Sequence, residues 1–280
     1  MMFEPGKEPA LQSFASDYRG RNLERLDGLA GTQPYSSRGP WLSTADSALL
    51  EKVAQTGRLG RFERSGNEES IAVLADAGIV DAKGRLTDQG GMVTRPLSQG
   101  VAALNITGTY LGRTTNFRAW LDTNDAMVLA GPSHHLMTSA ADEAADYADG
   151  RQLDYMSIND LYTAMAAWVG LSPAWSIPVL PAMVDLQEMD RRWAAVTDPP
   201  LQADEALMQM WREPWFVWQL AAVPGSGQPV TYINAGAAGH YRTGVLEGAG
   251  LLEATLSSNV YRHLGDIVEA AVFNRPPRFD

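Results

Sequence analysis

The sequence predicts an α+β fold whose two similar halves share one β-sheet. Three observations predict it. Helix-spaced segments with Ser/Thr starts and Gly stops alternate with short β-branched and aromatic runs. Turn chemistry separates the runs. The order of elements that begins at Leu97 also recurs from Leu207.

Residues 1–40 hold Pro5, Pro9, Gly20, Gly31, Pro34, Gly39 and Pro40 and read as an arm with one short helix, Asp17 to Leu29. Ser43 or Thr44 caps a helix to about Val53, and a second helix runs from Asn67 to Ala77, closed by Gly78. Ile79 to Thr87 reads as a hairpin turning at Lys83-Gly84, which with the two helices makes a winged-helix-like module. A helix from Met92 to Leu104 follows, with Pro96 as a candidate first turn. Strands are expected at Asn105–Leu111, Phe117–Asp122 and Ala126–Ala130, with His134–Thr138 as a fourth. Asp142 to Gly150 is a solvated stretch, Leu153–Met156 is extended, and Ser157 caps a helix from Ile158 to Val169 that Gly170 closes.

Pro173, Pro178 and Pro181 stiffen a connector. Helices from Ala182 to Ala195 and from Ala203 to Trp211 lead to strands at Trp215–Val223, Val230–Asn234, Tyr241–Leu246 and Leu251–Leu256. A last helix runs from Ser257 or Ser258 to Val272. The repeat is sharpest here: Met156-Ser157-Ile158-Asn159 matches Leu256-Ser257-Ser258-Asn259, with Tyr162 and Tyr261 following. The expected organisation is an arm (1–40), one α+β domain (41–272) and a C-terminal tail (273–280).

Charge and composition exclude whole classes. A net charge of −11 and a pI near 4.8 oppose nucleic-acid binding, which relies on clustered Lys and Arg. No cysteine is present, so disulfides, thiolate metal sites and cysteine nucleophiles are ruled out. Met1-Met2-Phe3-Glu4-Pro5 opens no signal peptide, and no run approaches the ~18 apolar residues of a membrane span. The expected location is the cytoplasm.

No phosphate-cradling frame occurs; the pairs Gly57/Gly60, Gly225/Gly227 and Gly248/Gly250 read as turn glycines. His134 and His135, adjacent on a strand, would point to opposite faces, and His240 and His263 stand alone among apolar neighbours. G-x-S-x-G is absent, and the carboxylate pairs Glu68-Glu69, Asp142-Glu143 and Asp204-Glu205 lie in polar stretches. No catalytic, cofactor or metal residue is therefore expected. The aromatic cluster stands out. Trp215 and Val217 read as sheet core, which turns Phe216 and Trp218 to the other face. That face is either covered by helices or presented to a partner, and Phe216, Trp218, Tyr232 and Tyr241 are the candidate partner-binding residues.

Trp41-Leu42-Ser43-Thr44-Ala45-Asp46-Ser47-Ala48-Leu49-Leu50 resembles the EspG-like chaperones of actinobacterial type VII secretion. So do Leu74 with Gly78-Ile79-Val80 and Gly84, Pro229-Val230-Thr231-Tyr232-Ile233 with Gly239-His240-Tyr241-Arg242, and the final strand and helix. The resemblance spans about 41–272. It implies a central antiparallel sheet with quasi-two-fold halves and flanking helical bundles. It also implies a non-enzymatic chaperone that keeps helical secretion substrates soluble, PE–PPE-like or another small helical pair, without inserting into the membrane. A hydrolase whose site assembles only in the fold, or a winged-helix regulator, are the alternative readings.

Overall fold

The computed structural model describes residues 34–139, 147–172, 181–223 and 229–273. The expected helix at Asp17–Leu29 lies outside them, as do most of the proline connector and of the acidic stretch after Asp142.

The first half opens with β1 (Trp41–Leu42), α1 (Thr44–Thr56), α2 (Arg61–Arg64), α3 (Glu68–Asp76) and α4 (Asp88–Gln99). It continues through β2 (Ala102–Tyr110), β3 (Arg113–Leu121), β4 (Asp125–Ala130), α5 (His134–Ser139), β5 (Arg151–Ser157) and α6 (Ile158–Trp168). The second half has β6 (Ala182–Val184), α7 (Leu186–Ala194), α8 (Glu205–Arg212), β7 (Phe216–Val223), β8 (Val230–Asn234), β9 (His240–Leu246), β10 (Ala249–Thr255) and α9 (Ser257–Phe273). The ten described strands form one sheet in the order β1-β5-β4-β3-β2-β7-β8-β9-β10-β6, with every neighbouring pair antiparallel.

This order is a two-fold arrangement. Its centre is the β2–β7 ladder, where Ala103 faces Val223 and Thr109 faces Val217. Exchanging the two strands reproduces the same ladder. Outward from it, β3, β4 and β5 correspond to β8, β9 and β10, and the short edge strands β1 and β6 correspond to each other. Ser43 caps the helix after β1, and Asp185 caps the helix after β6. The Ser43 cap is a reciprocal box: its Oγ accepts from the Asp46 amide (3.1 Å) while Asp46 accepts from the Ser43 amide (2.8 Å). The antiparallel sheet expected from the sequence, with duplicated halves and flanking helices, is the architecture observed.

Alternation decides which side chains reach which layer. Leu104, Ile106, Phe117, Ala119, Leu121, Val128, Phe216, Trp218 and Leu220 turn to one face, under α5, α6 and α9. The opposite face carries two separate cores. Trp120, Met127, Leu129 and Leu153 pack with α1, α3 and α4; Val217, Ile233, Tyr241 and Leu252 pack with α7 and α8. Gly108 is needed in β2 because a Cβ there would lie 2.4 Å from the ring of Phe216.

Several boundaries differ from the sequence expectation. The helix placed at Met92–Leu104 begins at Asp88, capped by Thr87, whose hydroxyl accepts from the Gly90 amide (2.8 Å), so Pro96 lies inside it. The Gly90-Gly91 pair masked this start. Leu104 belongs to β2, where sheet pairing with Ala119 and Ala222 overrides helix propensity. His134–Thr138 is helical, not extended: the Ser133 carbonyl accepts from the Met137 amide (2.9 Å) just after Pro132. The single helix placed at Ala182–Ala195 is β6 followed by α7, because Asp185 accepts from the Gln187 and Glu188 amides (2.8 and 3.2 Å) and residues 182–184 pair with β10. The hairpin expected at Ile79–Thr87 is present in short form: Val80 bridges Leu86, the Asp81 amide donates to the Arg85 carbonyl (2.8 Å) and the Thr87 amide to the Ile79 carbonyl (3.1 Å), while Arg85 also bridges Arg58.

Candidate functional site

The groove is assembled at one end of the sheet. The β3–β4 turn is held by Asp122, whose carboxylate accepts from the Asn124 and Asp125 amides, both at 2.8 Å. Arg95 on α4 bridges Asp122 and Asp125 at 2.8 and 2.7 Å. Partial burial pushes the Asp122 carboxyl up, but the two turn amides, with Arg95 after them, hold it below its usual range. Ser157 ends β5 and caps α6, and the Ile158 amide donates to the Asn124 carbonyl (2.8 Å), locking the helix start onto the turn.

α6 and α9 pack against each other beneath this turn. The rings of Tyr162 and Tyr261 meet edge to face with centroids 5.2 Å apart, and the Thr163 and Tyr261 hydroxyls lie 2.8 Å apart. The charge of one phenol beside the other, with some burial, raises the Tyr162 pKa. α6 has 11 residues and α9 has 17, so α9 runs past the start of α6 toward Thr123–Asp125. The overhang leaves an open groove of about 890 Å³. Ile158, Tyr162, Tyr261, Val268 and Val272 give it an apolar lining, while Arg262, Asp266 and Glu269 stand along α9.

The equivalent place in the other half is filled. There the β8–β9 turn, the start of α9 and the end of α6 meet, and the chain leaving α6 turns back into the gap. Gly170 makes that turn with φ +69, and a Cβ on it would strike the His134 ring at 2.2 Å. Leu171 is fully buried. The Asn234 amide donates to the carbonyls of Val169 and Gly170 (3.1 and 2.8 Å). His240 Nε2 reaches the Ser172 carbonyl at 2.8 Å, and the Ser257 hydroxyl donates to the same oxygen at 2.6 Å. Burial holds the His240 imidazole neutral, with a pKa lowered to about 4; burial and the neighbouring His240 and His135 lower His134 to about 4. Among the described residues Ser133 Oγ and His240 Nδ1 have no hydrogen-bond partner.

The four candidate partner-binding residues are not on this surface, and that expectation is corrected. Phe216, Trp218, Tyr232 and Tyr241 are 0%, 1%, 5% and 3% exposed. Trp218 stacks on Tyr232 (centroids 4.6 Å), whose hydroxyl meets His263 Nδ1 at 2.6 Å under α9. Burial pushes the Tyr232 pKa up to about 12. Tyr241 lies on the opposite face and donates to the Ala238 carbonyl (3.1 Å). The helical cover on both faces, rather than an open aromatic surface, is the arrangement found. His134 and His135 likewise do not straddle a strand: on α5, His134 packs edge-on against Phe216 at 5.3 Å and His135 is exposed.

Among the described residues no three His, Asp or Glu side chains converge as metal ligands, and no helix is long and apolar enough to cross a membrane. Sequence reasoning noted Tyr162 and Tyr261 only as repeat markers. Their matched spacing was the one signal for the helix pair that builds the groove.

The sequence matches no protein-family model and no curated protein. A similar solved structure is that of the Mycobacterium tuberculosis type VII secretion system chaperone EspG5 in complex with a PE25–PPE41 dimer. It shares 9% identity over 86% of this chain and 98% of that chain, with a TM-score of 0.46.

Proposed function

We propose that this chain is a non-enzymatic cytoplasmic chaperone or adaptor that holds a helical substrate of type VII secretion before export, a PE–PPE-like or other small helical pair. The observation that carries the reading is the open groove between α6 and α9, lined by apolar side chains with charged residues of α9 beside them. Apolar grooves walled by helices accept the apolar face of another helix. The sequence resemblance over residues 41–272 supports the same reading, and the acidic surface keeps a carrier of apolar cargo soluble.

The test is co-expression with candidate helical pairs encoded beside a type VII secretion system, followed by size-exclusion chromatography. The expected result is a stable complex, and substrate that aggregates when expressed alone. Substrates that stay soluble alone and never co-elute with this chain would sink the reading.

A further inference from the structure

We propose that the groove selects a partner helix whose apolar stripe is bordered by lysine or arginine, so that cationic side chains meet Asp266 and Glu269. This deepens the reading above and rests on it.

The two-fold arrangement supplies the comparison. In the filled counterpart, an apolar residue, Leu171, enters the core, and neutral groups hold the backbone around it: the Asn234 amide, the His240 imidazole and the Ser257 hydroxyl. The gap between the two C-terminal helices therefore accepts an apolar side chain. The open groove offers the same kind of gap with different electrostatics. Asp266 and Glu269 lie along the α9 wall and form no ion pair with Lys or Arg among the described residues, though Asp266 interacts electrostatically with His263. On the turn side, Asp122 and Asp125 share the single cation Arg95. Among the described residues Arg262 is the one cation lining the groove, and it stands on the Asn259 side (3.5 Å to the amide oxygen).

An acidic border beside an apolar lining favours a helix that brings positive charge to the rim. It also repels one with an acidic border, which gives specificity as well as attraction. Because the rim is solvated, the attraction weakens with salt.

The experiment uses the full chain and two synthetic amphipathic peptides that share one leucine stripe. One has lysines bordering the stripe, the other glutamates. Binding is read by fluorescence anisotropy at low and high salt. The lysine peptide is expected to bind more tightly, with an affinity that falls as salt rises. Asp266→Lys with Glu269→Lys should weaken the lysine peptide by roughly tenfold and strengthen the glutamate one. Glu269→Lys alone changes an exposed residue, should leave the melting temperature in place, and should shift both peptides in the same directions. Equal binding of the two peptides, tighter binding of the glutamate peptide, no binding of the lysine peptide, or indifference to both variants would overturn the proposal. So would preferential binding of a peptide of residues 274–280, or loss of the groove to self-association by sedimentation. The co-expression experiment separates the two ideas. A substrate that still co-elutes with the doubly substituted chain defeats the charge proposal and leaves the chaperone reading. Charge-selective peptide binding without any substrate complex does the reverse.

Discussion

Tyr162 and Tyr261 occupy equivalent positions in the two halves and meet each other, edge to face, with centroids 5.2 Å apart. The buried positions around them correspond at one constant spacing: Leu161 with Val260, Met165 with Leu264, Trp168 with Ile267. The duplicated helices thus pack against each other through a duplicated residue.

That contact predicts coupling. Alanine at either tyrosine should destabilise the chain, and the double variant should be less than additive by ~0.5–1.5 kcal/mol, the usual worth of an aromatic pair. Tyr261→Phe should cost ~1 kcal/mol through the lost Thr163 bond. Urea denaturation of the four-member alanine cycle and of Tyr261→Phe reads both numbers; strict additivity in the cycle would show that the rings do not cooperate.

Trp218 is 1% exposed and stacks on Tyr232, yet its indole N–H has no hydrogen-bond partner among the described residues. Trp218→Ala should therefore cost ~3–5 kcal/mol by leaving a cavity. Trp218→Phe should cost clearly less, because it removes an unsatisfied buried donor together with part of the ring. Melting temperatures of the two variants check this, and a phenylalanine variant as unstable as the alanine one would refute it.

Arg192 is 1% exposed, with no carboxylate in contact among the described residues. Its guanidinium instead donates to the carbonyls of Trp211 (3.0 Å), Ala195 (3.4 Å) and Glu213, and stacks over Trp215 at 4.7 Å. Burial lowers its pKa. Arg192→Ala should cost ~3 kcal/mol or more, since three carbonyls lose their donors. Arg192→Lys should also destabilise, because an ammonium lacks the planar fork. Full stability of the lysine variant would show that charge alone matters there.

Acid should loosen the seam between the halves. His134 and His240 have folded-state pKa values near 4, against an ordinary value of 6.5. The unfolded chain therefore binds more protons between these values. Their neutral burial contributes fully above pH 6.5, and this contribution declines as pH falls through 6.5 toward 4. Thermal melts across pH 7.5 to 4.5 should show the melting temperature dropping with acid, and His134→Asn should flatten the slope. A melting temperature independent of pH over that range would contradict the assignment.

Much of the fold was legible because it is written in short-range chemistry. Ser43, Ser157, Gly78 and Gly170 act within one helical turn, and strand alternation separates Phe216 and Trp218 from Trp215 and Val217 without any knowledge of the sheet. The errors came where local signals competed. Gly90-Gly91 hid the start of α4, and Asp185 had to be recognised as a cap before the edge strand β6 could be separated from its helix.

By itself the sequence determined the α+β class, most caps and strands, and the recurrence of elements that makes the halves alike. It could not decide which side of the aromatic strands is covered. Burial of Phe216, Trp218 and Tyr232 depends on α6 and α9, which lie far away along the chain, and local residues carry no record of them. The groove was illegible for the same reason. It arises because α9 outruns α6 at one end, while the chain leaving α6 fills the counterpart gap at the other. Two matched helices of unequal length become a filled site and an open one only when the two-fold sheet sets them side by side.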